Sequence, residues 1–150
     1  ENIILNKLAI GDKTGYIDFV CESKNSGNSR ISNKSYDQSS IHKVNQTTID
    51  EYVSKYNIKT IDFIKIDVEG YEPFVLDGAI ETLKMFSPSL YIEISPHWFR
   101  KRGTTATDLI KKLKELEYSI FLDMNNGTIE YQDNMGSILK QKQVNILAKK

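Results

Sequence analysis

The sequence predicts an α/β domain with a mostly parallel sheet flanked by helices and an antiparallel strand at its C-terminal end. Short apolar runs alternate with stretches of helical period, which is the pattern of βαβ units. One run, Ile61 to Val68, is apolar on both faces apart from Asp62, Lys65 and Asp67, as a central strand covered by two helical layers would be. The chain has 150 residues, 39% of them hydrophobic and 27% charged, which suits a single globular core.

The elements follow in order. Ile3, Ile4, Leu5, Leu8 and Ile10 open the chain as a strand, and Gly11-Asp12-Lys13-Thr14-Gly15 turns it into a second one over Tyr16, Ile17, Phe19 and Val20. Ser23 to Ser40 is too polar to pack and predicts a long surface loop. Thr48 and Glu51 have capping-box spacing, and Ile49, Tyr52, Val53 and Tyr56 then mark a short amphipathic helix that Asn57 ends. After the Ile61–Val68 run, Pro73 opens a helix carrying Phe74, Leu76, Ala79, Ile80 and Leu83 on one stripe. Pro88 precedes a short strand over Leu90 to Ile94. Thr105 and Asp108 begin another helix with Ala106, Leu109, Ile110, Leu113 and Leu116 on its apolar face. Tyr118 to Leu122 is a strand, Asn126-Gly127 signals a turn before Ile129 and Tyr131, and Val144 to Ala148 is the last strand.

Composition narrows the partners. Twenty basic and twenty acidic side chains leave no net charge to recruit nucleic acid or an anionic membrane surface. No apolar run reaches the roughly 18 residues that span a bilayer. Cys21 is the only cysteine; it excludes an internal disulfide, reads as a small apolar strand residue, and suits a reducing, cytoplasmic setting. The Asn-X-Ser/Thr triplets at Asn33, Asn45 and Asn126 carry no weight in a chain so rich in Asn and Ser.

In open α/β sheets ligands bind beyond the carboxyl ends of the strands, so the chemistry is expected just after them. Three acids, Asp67, Glu69 and Glu72, fall where the Ile61–Val68 run gives way to a helix. Asp67 and Glu69 alternate with Val68 and would project to one side of the strand tip, while Gly70 lets the backbone turn. The plain alternative is that acids favour a helix N-terminus. Glu93 lies inside an apolar strand, where an acid is bonded structurally or kept for function. His97, just beyond it, suits a base or substrate contact, or is a loop bystander like His42. Dinucleotide, Walker and nucleophile-elbow motifs are absent, as is a cysteine pair for zinc. Asp67, Glu69 and Glu93 have a composition that magnesium accepts, in a pattern common by chance.

Thr47-Thr48-Ile49-Asp50-Glu51-Tyr52, Ile61 to Glu72 with its Lys65-Ile66-Asp67-Val68-Glu69-Gly70-Tyr71-Glu72 string, Leu76-x-Gly78-Ala79 and Tyr91-Ile92-Glu93-Ile94 occur in that order. Together they resemble the FkbM family of methyltransferases. Leu8-Ala9-Ile10-Gly11-Asp12 is similar to the family's segment after its third strand, and from about Ile94 onward only the pattern matches. The resemblance implies a Rossmann-like methyltransferase fold, S-adenosylmethionine as methyl donor, and a hydroxyl acceptor on a sugar or other small metabolite. By the same resemblance Asp67, Glu69 and Glu93 are the catalytic candidates, Ala9, Ile10 and Asp67 would touch the cofactor, and Tyr71 and His97 would line the acceptor pocket; no metal is expected.

The family's glycine-containing cofactor loop after its first strand, and the acid after its second, have no counterpart. The chain is therefore expected to be the C-terminal part of such a domain, with roughly 60 to 100 residues upstream. The Ile61–Val68 strand would then expose an edge or pair unusually with Leu5 to Ile10. Other expectations consistent with the same motifs are a noncatalytic interaction module and, from the acids alone, a metal-dependent hydrolase.

Overall fold

The computed structural model describes residues 2–20, 30–31, 41–124, 130–131 and 143–150. Cys21, Asn33, the Asn126-Gly127 turn and most of the Ser23–Ser40 stretch lie outside them.

Two sheets form. The first contains β1 (Ala9–Ile10), β2 (Gly15–Val20), β3 (Arg30–Ile31) and β4 (Ile41–Thr47) in the order β1-β4-β2-β3. β1 runs parallel to β4, with Ile10 opposite Thr47, and β2 is antiparallel to both β4 and β3. The second contains β5 (Phe63–Ile66), β6 (Ser89–Ile94), β7 (Ile120–Asp123), β8 (Glu130–Tyr131) and β9 (Val144–Lys149) in the order β5-β6-β9-β7-β8. Only β5 and β6 pair in parallel there; the β6/β9, β9/β7 and β7/β8 ladders are antiparallel.

The expected mostly parallel sheet is thus corrected to two mixed ones. Helical crossovers do make β5, β6 and β7 run the same way, since β6 and β7 are both antiparallel to β9. But β9 inserts between β6 and β7, so direction is preserved while adjacency is not. Periodicity reports direction through the crossover helix and says nothing about which strand fills the gap. The expected antiparallel strand at the C-terminal end is β9.

Helix α1 (Ile49–Lys55) is capped by Thr48, whose hydroxyl accepts from the Glu51 amide at 3.0 Å. The single helix expected after Pro73 is two, α2 (Glu72–Asp77) and α3 (Ile80–Phe86). The break falls at Gly78, where a β-carbon would lie 2.0 Å from the Gly11 carbonyl oxygen. Asp50 of α1 exploits the break. Its amide donates to the Gly78 carbonyl at 3.0 Å, and its carboxylate accepts from the amides of Glu81 (3.2 Å) and Thr82 (2.8 Å), capping α3. Gly11, Thr48, Asp50 and Gly78 thereby seat the first sheet against the helical layer of the second. Helices α4 (Pro96–Lys101) and α5 (Ala106–Glu115) follow β6, and α5 starts with the complete Thr105/Asp108 capping box.

The core lies between β6, β9 and the helices. Leu76, Leu83, Leu90, Ile92, Ile94, Phe99, Leu109, Leu113 and Ile146 are fully buried, and the Tyr118 hydroxyl donates to the Pro88 carbonyl at 2.8 Å inside it. β5 is not central. Among the described residues β6 is its one strand neighbour, so Phe63 remains 55% exposed while Ile66 is buried. Ala9 and Ile10 pair with β4 rather than with β5. No described helix is long and apolar enough to cross a membrane.

Candidate active site

The carboxyl ends of β5 and β6 lie side by side. Their parallel register pairs Lys65 with Tyr91 and Ile66 with Ile92, so the next residues on each strand, Asp67 and Glu93, sit at adjoining positions. The chain then turns sharply. Glu69 (φ 52°) and Gly70 (φ 89°) are both left-handed, and the Tyr71 amide donates to the Val68 carbonyl at 3.3 Å. Two central residues of positive φ are what a type I′ turn requires, and at Glu69 a side chain bears that strain. Gly70 is obligatory here, because a β-carbon would lie 2.6 Å from that of Trp98 on α4. Glu69 therefore reaches the site through this turn and not through strand alternation with Asp67.

The acids interact. Glu93, only 7% exposed, has its carboxyl raised above the usual range first by burial and then by the charge of Asp67; Glu69 adds to this, while the Gln143 hydrogen bond and the Lys65 charge oppose it. Gln143, just before β9, donates its amide N–H to Glu93 Oε1. Asp67 forms an ion pair with Lys65 at 2.9 Å, with side chains 42% and 59% exposed. That contact raises Lys65. Asp67 and Glu93 thus sit at adjoining strand tips, one ion-paired and exposed, the other buried.

Glu72 lies behind the turn and is fully buried. Its Oε1 accepts from the Val68 amide at 3.0 Å, and its Oε2 has no hydrogen-bond partner among the described residues. Burial drives its carboxyl up to about 7 against the pull of its own amide and those of Val68 and Gly70, and the Glu93 charge pushes it further up.

The other expected residues are distributed around this centre. Tyr71 is buried, stacks on Phe74 at 4.5 Å between ring centroids, and donates its hydroxyl to Asp12 at 3.4 Å. Burial and the Asp12 charge raise its phenol. It joins the β1 tip to the acidic turn, since Gly11 packs against its ring. Ala9 and Ile10 are half-buried one step back along β1, and no described contact brings them to Asp67 or Glu93. His97 is exposed on α4, edge-on to Trp98 at 5.2 Å, with no described contact to either acid. Gln143, Glu72 and Asp12 were not among the expected site residues. Gln143 has no local signal, being remote in sequence, while Glu72 belonged to the acid-rich string but its inward direction is not a property of spacing.

Two clefts of about 350 and 400 Å³ flank α1, one lined by Tyr16, Tyr52 and Tyr56, the other by Val53, Met85 and Phe86; neither includes Asp67 or Glu93. Among the described residues no three His, Cys, Asp or Glu side chains converge as metal ligands.

Parallel strands joined by a helical crossover, with acids at their adjoining carboxyl ends, define a chain of the α/β class. Within that class the chain belongs to the FkbM methyltransferase family: the model of the methyltransferase FkbM domain matches residues 1–120. No curated protein and no solved structure matches the chain.

Proposed function

We propose that the protein is an S-adenosylmethionine-dependent methyltransferase of partial Rossmann-like fold that methylates a hydroxyl on a sugar or other small metabolite in the cytoplasm. The observation that carries this reading, beside family membership, is the coupled pair Asp67 and Glu93 at the tips of β5 and β6. S-adenosylmethionine supplies a methyl group on a positively charged sulfonium. The residues present suit that end of the molecule, because Asp67 and Glu69 lie near enough to Glu93 to act on it electrostatically, and negative charge beside a buried carboxylate favours a cation.

The chain's own residues then divide the work. Glu93, more basic because it is withdrawn from water, takes the acceptor hydroxyl proton. Asp67, held by Lys65, would orient that hydroxyl beside the methyl donor, Glu69 would add negative charge, Tyr71 and His97 would hold the acceptor, and Ala9 and Ile10 would hold the adenine. Methyl transfer is an in-line displacement, so alignment of oxygen and methyl carbon is what this arrangement must provide.

The test is turnover with radiolabelled S-adenosylmethionine and a panel of sugars. Glu93→Gln is expected to lower turnover by about 100-fold or more and to abolish an acid limb lying above the ordinary glutamate range. A variant as active as the parent would remove Glu93 from the mechanism. One observation favours a noncatalytic interaction module instead, namely the edge of β5 that has no strand neighbour among the described residues, with Phe63 exposed; failure of the protein to bind S-adenosylmethionine in calorimetry would support it.

A further inference from the structure

The turn that carries Asp67 and Glu69 is strained and needs a reason to persist. A left-handed glutamate is disfavoured, and such residues survive only where their surroundings over-determine them. Three contacts restrain this turn: the Tyr71 amide on the Val68 carbonyl, Trp98 over Gly70, and Glu72 on the Val68 amide. The first is a property of the backbone and the second is steric. The third commits a carboxyl group to complete burial, with its second oxygen lacking a hydrogen-bond partner among the described residues, close enough to Glu93 to feel its charge. Burying an acid is costly unless the group does something there, and an apolar side chain would fill the space more cheaply.

We propose that Glu72 is the positioning residue of the acidic turn: from the start of α2 it reaches back to hold the Val68 amide and thereby keeps Asp67 and Glu69 gathered against Glu93. Glu72 itself touches neither donor nor acceptor. Its importance to catalysis rests on the methyl-transfer reading, whereas its hold on the turn does not.

The experiment reads the turn in the full chain without cofactor or acceptor. Glu72→Gln retains an acceptor oxygen for the Val68 amide, and Glu72→Met retains the length without it; both remove the same charge beside Glu93. Hydrogen exchange at Val68 and carbon-detected titration of the Glu93 carboxyl are compared between them. Glu72→Gln is expected to keep parental Val68 protection and a Glu93 titration still raised by Asp67 and Glu69. In Glu72→Met, Val68 should exchange about tenfold faster, the scale of one lost hydrogen bond, and Glu93 should titrate lower than in the Gln variant. Identical behaviour of the two variants overturns the proposal. Should Glu72→Met not fold, the parent chain decides: its Val68 amide shift is expected to follow the Glu72 carboxyl titration with the same midpoint, and a Val68 amide insensitive to that titration contradicts the assignment. Absence of S-adenosylmethionine binding alongside the expected Val68 behaviour would sink the methyl-transfer reading alone.

Discussion

Glu72 also shapes how stability depends on pH. Its folded-state carboxyl titrates at about 7, above the ordinary value of 4.5, because burial penalises the charged form. A raised acid stabilises the fold fully below its unfolded value and loses that contribution as pH rises through the folded one. Stability from this group should therefore fall between pH 4.5 and about 7, by on the order of 3 kcal/mol. Urea unfolding of Glu72→Gln should show that slope removed and the variant more stable than the parent at pH 8; an unchanged slope would place the titration elsewhere. At Gly70 the expectation is steric. Gly70→Ala combines φ 89° with a β-carbon 2.6 Å from that of Trp98, so it should cost about 2 kcal/mol or more, read as a lower thermal midpoint. Much of the residue scale was legible, because a glycine between acids at a strand end already implies a sharp turn. The direction in which each acid points was not. Asp67 and Glu72 look alike in the sequence, yet one is an exposed ion pair and the other is sealed inside.

Helices with explicit caps were read correctly: Thr48 and Thr105 both accept the N3 amide, and the α5 stripe of Ala106, Leu109, Ile110 and Leu113 is buried. Several features escaped. The α2/α3 break hides within a continuous apolar stripe, since its cause is the approach of the Gly11 carbonyl from the other sheet. Strand β4, Ile41–Thr47, has few apolar residues and owes its existence to pairing with β2 and β1. Helix α4 likewise reads as loop, because Ser95-Pro96-His97-Trp98 has no periodicity of its own. The break makes a prediction at this scale. Asp50→Ala leaves the α3 amides of Glu81 and Thr82 without their side-chain acceptor, which should destabilise the protein by about 1 to 2 kcal/mol. Asp50→Asn, which retains an acceptor oxygen, should recover part of that in the same denaturant titration.

For the whole molecule, the α/β class and the direction of β5, β6 and β7 were readable because crossover helices leave a period in the sequence. Strand order was not, because β9 enters from the far end of the chain to lie between β6 and β7. The same long-range event brings Gln143 to Glu93. The Ile61–Val68 run promised a strand covered on both sides, yet β5 is the end strand among the described residues. Its apolar character is written for more cover than one neighbour supplies, as the exposure of Phe63 shows. Family membership over residues 1–120 includes both sheet tips and the turn between β5 and α2. These tips, and not the clefts beside α1, are expected to face the methyl donor. Backbone amide shifts of the labelled protein titrated with S-adenosylmethionine test this most directly. Saturable shifts concentrated at Asp67 to Tyr71 and at Glu93 and Ser95 are expected; shifts confined to the Tyr16, Tyr52 and Tyr56 cleft, or none at saturating cofactor, would place the donor elsewhere or nowhere on this chain.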